Sequence, residues 1–200
     1  FEQQASGRTL IDMRKLDLIV GSGGILSHAP RRIQSMLMMI DAYEPLGFTM
    51  LSVDSIFMMP HLGVLSTINE KAATDVFVRD CMIYLGTCVA PIGQGKDGEP
   101  CAEYQIVFDD GRTVKDRLLF GDLKPYPLEA GSKAKVTVHP AKSVDAGAGP
   151  GATMTRDVQG GVVGLLFDGR GRPFQLPTES SARVAALKKW FDAVNLYPKG

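Results

Sequence analysis

The chain is poor in cysteine, has a single tryptophan and shows no excess of either charge sign. Its 200 residues carry 22 Lys+Arg against 22 Asp+Glu, so the formal net charge at pH 7 is zero. Like charges never run beyond two or three residues. A protein that grips nucleic acid by neutralising phosphates needs a basic patch, and this sequence writes none. Cys81, Cys88 and Cys101 are odd in number and lack the spacing of a zinc knuckle, which predicts reduced thiols and a cytoplasmic protein. Aliphatic runs such as residues 36–40 fall far short of the roughly 18 residues that span a membrane. The polar start, residues 1–10, has no apolar core of a secretory leader. Internal repeats and low-complexity tracts are missing as well.

Several chemical motifs fail on inspection. Gly21, Gly23 and Gly24 come near a dinucleotide fingerprint, but Leu26 stands where the third glycine belongs. Gly95-Lys96 fails as a phosphate loop because Ala90 occupies the first glycine position. His28, His61 and His139 are far apart, and none sits in the Asp-x-His-x-x-Gly frame of a cobalamin ligand. There is no Gly-x-Ser-x-Gly elbow. The sequence therefore assigns no catalytic residue and no metal ligands.

What is present begins at residues 16–30, LDLIVGSGGILSHAP. Four large aliphatics within residues 16–20 suit a buried strand, the run Gly21, Ser22, Gly23, Gly24 turns the chain, and a helical pattern opens between Ser27 and Pro30. Glycines at such a turn let backbone approach a phosphorylated ligand, and a helix start adds unpaired N–H groups. Ile33, Met36, Leu37 and Ile40 then mark one face of a helix that Pro45 and Gly47 stop. A strand over 48–57, a helix capped by Asn69 and a strand over 82–89 follow. The character changes near Ala90. Short strands over 103–108 and 112–120 flank Asp109-Asp110-Gly111, a hairpin turn. Further strands are predicted over 134–138 and 161–167, and Ser181 is placed to cap a last helix. The prediction is an α/β unit over 1–89, then a β-rich, small-barrel-like domain with a closing helix over 90–200.

Two stretches carry a family resemblance. Residues 20–30, VGSGGILSHAP, resemble the adenosine motif of the actin/Hsp70/sugar-kinase ATPases. Residues 143–161, SVDAGAGPGATMTRDVQGG, and 162–177, VVGLLFDGRGRPFQLP, resemble the carboxy-terminal region of the glutamate mutase L family, to which HLGVLS after Met59-Pro60 is also similar. The resemblance runs through nearly the whole chain. It implies the end of an actin-like ATPase lobe followed by the β-rich domain. It further implies part of an ATP-dependent reactivating chaperone for an adenosylcobalamin-dependent mutase, with mutase subunits as partners and neither nucleic acid nor membrane engaged. Phe1 in place of an initiator Met fits the tail of a longer protein. ATP and Mg would then be bound, and ATP hydrolysed, only by the full-length protein, because this chain shows no phosphate-binding motifs. Two other classes stay open: a non-enzymatic interaction module, and part of a small-molecule kinase of the same superfamily.

The resemblance makes Gly21, Ser22, Gly23 and Gly24 nucleotide-binding; the alternative is a purely structural tight turn. Arg170 and Arg172, two apart in an extended segment, point the same way. They either grip an anion or a partner, or pair with Asp168 and nearby carbonyls. The methionines between Met36 and Met82 read as core packing, with an adaptable partner surface as the other option.

Overall fold

The computed structural model describes residues 12–197. The polar start discussed above lies outside them. After a 3-10 turn at Met13–Lys15, the elements run β1 (Leu18–Gly21), α1 (Gly24–Ser27), α2 (Arg32–Tyr43), β2 (Gly47–Asp54), α3 (Met59–Ser66) and α4 (Glu70–Val76). Next come β3 (Met82–Ala90), β4 (Pro100–Phe108), β5 (Thr113–Leu119), β6 (Leu123–Tyr126), β7 (Lys133–Pro140), β8 (Met154–Gln159), β9 (Leu165–Asp168) and α5 (Ser180–Ala193). Asn69 caps α4 by accepting from Ala72 N–H at 3.0 Å, as its sequence position predicts. The cap of α5 is Glu179 rather than Ser181: its carboxylate reaches the N–H groups of both Ser181 and Ala182, at 3.0 and 2.7 Å.

The strands form two open sheets, one of five in the order β1-β2-β3-β9-β6 and one of four in the order β5-β4-β7-β8. β1 and β2 are parallel, as are β3 and β9; β2 with β3 and β6 with β9 are antiparallel. Neither sheet closes, so the small barrel expected after Ala90 is replaced by two open sheets. The reason lies in β9. Leu165, Leu166 and Phe167 are apolar in succession, and such a strand needs cover on both faces. It finds this cover between the helices and the four-stranded sheet, with β3 and β6 pairing its edges.

Side-chain alternation then builds three layers. Leu166 of β9 and Leu85 and Cys88 of β3 join Met36, Met39 and Ile40 of α2 and Trp190 of α5 in one core. Leu165 and Phe167 face the other way, into a second core with Tyr104, Ile106, Val136 and Val158 of the four-stranded sheet. Helices thus cover one face of the first sheet, and the second sheet covers the other. Gly86 sits at a register shift in β3 with φ of 135°, and a Cβ there would strike the Gly164 carbonyl. Only glycine lets β3 and the approach to β9 come this close.

Candidate functional site

The glycine turn leaves β1 at the edge where the parallel strands β1 and β2 both end. Gly21 is buried against Leu26 and Met39. Ser22 donates its hydroxyl to Asp54 Oδ2 at 3.2 Å, across the end of β2. Gly23 takes φ of 122°, a backbone conformation that side chains resist. Gly24 opens α1, a single turn of four residues, and the long helix α2 begins only at Arg32. One turn of helix accumulates little macrodipole. The turn is instead fixed by side chains. Ser27 Oγ donates to the Gly23 carbonyl at 3.0 Å, Ser35 Oγ to the Leu26 carbonyl at 2.8 Å, and Arg32 Nη1 to the Ser27 carbonyl at 3.0 Å.

Gly24 differs from its neighbours. Its φ is not positive, and among the described residues a Cβ on it would meet nothing within 4 Å. Neither backbone geometry nor crowding asks for glycine there, although alanine would favour a helix by about 1 kcal/mol. Beside it lies a cavity of about 360 Å³ bordered by Ser22, Gly23, Gly24, Met38 and Tyr43.

Asp54 is the residue that sequence reasoning missed. It is fully buried at the end of β2 and accepts from Met58 N–H at 3.0 Å and Met59 N–H at 2.8 Å, as well as from Ser22. Burial pushes its carboxyl up, but these donors outweigh it and hold the group below the usual carboxylate range. One aspartate therefore joins the glycine turn to the start of α3. An acid closing a strand a few residues before Met59-Pro60 is a helix-start signal, and it was legible in that sense.

Arg170 and Arg172 converge on one carboxylate. Asp168 Oδ1 takes Arg170 Nε at 3.0 Å, and Oδ2 takes Arg170 Nη2 at 2.9 Å and Arg172 Nη2 at 2.7 Å. Arg172 spends its other nitrogens on the Pro45 and Gly171 carbonyls, at 3.2 and 2.9 Å. Arg170 also reaches Asp41 Oδ1 at 2.7 Å. Burial raises the Asp168 carboxyl, yet the two guanidiniums prevail and hold it to about 2. Arg172, with one bond from each guanidinium nitrogen, is thereby a strut between β9 and the segment that follows α2.

The glycine turn, Asp54 and α3 all lie within residues 2–81, the segment that matches the family model described as MutL protein. Over these residues the chain is similar to the MutL (glutamate mutase L) family. The match ends before β3, so the Asp168–Pro173 segment of the glutamate mutase L resemblance lies outside it. No curated protein and no solved structure matches the chain. Among the described residues, no helix is long and apolar enough to cross a membrane, and no cluster of His, Cys, Asp and Glu is placed to hold a metal ion.

Proposed function

We propose that this glutamate mutase L-type chain works as part of an ATP-dependent reactivating factor for an adenosylcobalamin-dependent mutase, with the Gly21–Gly24 turn forming one wall of the nucleotide cleft. Gly24 carries the reading: a glycine that the fold itself does not require, exposed beside a cavity, suits close approach of a ligand to backbone. In this mechanism Asp54 and Ser22 hold the turn in register, and Gly23 and Gly24 present bare backbone. ATP with Mg would supply the free energy that separates two lobe arrangements, and only a difference in affinity between those arrangements can drive motion. Such motion would loosen the mutase so that damaged cobalamin leaves. The supporting test is calorimetry on the full-length protein. Wild type should bind ATP with Mg, and Gly24→Val should bind it at least about tenfold more weakly, since a β-branched side chain blocks the approach. Equal affinity of the two would refute the assignment.

An interaction module is favoured by one specific observation. Around the α3–α4 hairpin, Ile56, Val64 and Ile68 are 57, 69 and 85% exposed, more apolar surface than so small a unit needs to display. The two readings are compatible in one protein, because Asp54 links the turn to this hairpin.

A further inference from the structure

The larger cavity, about 560 Å³, lies between α2 and α5. Its volume falls within the range of small-molecule sites. Leu37 and Leu187 contribute to apolar walls, and its charged lining residues are Arg170 and Asp41. Phe174 and Trp190, which also line it, stack on the Arg170 guanidinium with ring centroids 4.5 and 5.1 Å from Cζ.

Arg170 has only 3% of its side chain exposed. Its Nε and Nη2 are bonded to Asp168 and Asp41, but among the described residues Nη1 has no partner. The two rings lie side by side, with centroids 5.6 Å apart, and pack against one side of the guanidinium, which leaves the Nη1 edge open to the cavity. A guanidinium is planar, and Nη1 shares that edge with the Nη2 that holds Asp41. An acceptor brought to Nη1 therefore lands beside the Asp41 carboxylate, which is 45% exposed and can accept a further hydrogen bond. The edge offers a donor next to an acceptor. Its charges are already balanced, with Arg170 and Arg172 facing Asp168 and Asp41. An added charge would sit uncompensated in an apolar cavity.

We infer that this cavity binds a neutral planar ring compound whose edge pairs an acceptor with a donor, as a carboxamide does. The ring packs among the aliphatic and aromatic walls, its carbonyl accepts from Arg170 Nη1, and its NH₂ donates to Asp41. Gly24 borders this cavity too, but the recognising atoms lie on α2 and on the segment after β9, so the site stands or falls independently of the nucleotide reading.

Trp190 is the chain's single tryptophan and lines the cavity, so its fluorescence reports occupancy directly. Benzamide titrated into the full chain should give a saturable change with a Kd of about 1 mM or tighter. Benzoate and benzylamine should bind about tenfold more weakly, and Asp41→Ala should weaken benzamide about tenfold while far-UV dichroism confirms the fold. Lack of saturation, benzoate binding as tightly as benzamide, or unchanged affinity in Asp41→Ala would each overturn the proposal. A cavity reserved for a protein side chain would give the first of these results.

Discussion

Asp54 accepts the Ser22 hydroxyl at 3.2 Å, so the end of β2 fixes the turn that leaves β1, 32 positions earlier in the chain. The same carboxylate holds the Met58 and Met59 N–H groups. Asp54→Ala leaves these partly buried donors without their acceptor. It should lower stability by about 2–3 kcal/mol, seen in urea unfolding as a lower midpoint at unchanged slope. An unshifted midpoint would mean that water replaces the carboxylate without loss.

Gly24→Ala separates fold from ligand. With open space at the Cβ and no positive φ, alanine should leave the melting temperature of this chain unchanged or raise it, by up to about 1 kcal/mol of added stability. Gly86→Ala should do the opposite, because the new methyl meets the Gly164 carbonyl. A loss of about 3 kcal/mol or more is expected from thermal melts.

Acid should attack the Asp168 cluster. Its folded carboxyl is held to about 2, below an unfolded value of about 3.9, so the unfolded state binds the proton more readily. The stabilisation is complete above about pH 4 and is lost as pH falls through about 2. Arg172→Ala removes one of the two balancing guanidiniums. It should cost about 3 kcal/mol at neutral pH and shrink the acid-dependent part of the stability curve. A pH–stability curve that keeps the wild-type slope would contradict this role.

The thiols should be silent in the folded chain. Cys81, Cys88 and Cys101 are all buried and unpaired, and burial pushes Cys88 and Cys101 up to about 12. Iodoacetamide at pH 8 should label none of the three until denaturant is added, as mass spectrometry would count directly.

Local chemistry made much of this legible in sequence. The Asp-Gly hairpin between β4 and β5, the amphipathic face of α2 and the Asn69 cap each follow from neighbours in the chain. The pairing of Arg170 and Arg172 with Asp168 was also among the options read from spacing. What escaped depends on distant partners. β6 carries Lys124 and Pro125 in a four-residue strand, too short for an alternation signal, and is a strand because β9 pairs with it. β8 reads Met-Thr-Arg-Asp-Val-Gln, mostly polar, and gains its place from β7. Asp54 falls inside the strand predicted over 48–57, whereas β2 ends at that residue. Its role appears only once Ser22 is folded beside it.

β9 lies between β3 and β6 in the first sheet, yet the ribosome reaches its start only about 75 residues after the end of β3. Until Leu165–Asp168 emerges, β3 has an open edge and the core under α2 lacks Leu166 and Trp190. The early α/β segment must therefore wait, incompletely closed, while the four-stranded sheet is synthesised. A chain terminated after Ala90 would present that edge to its neighbours and should aggregate rather than persist as a small folded unit.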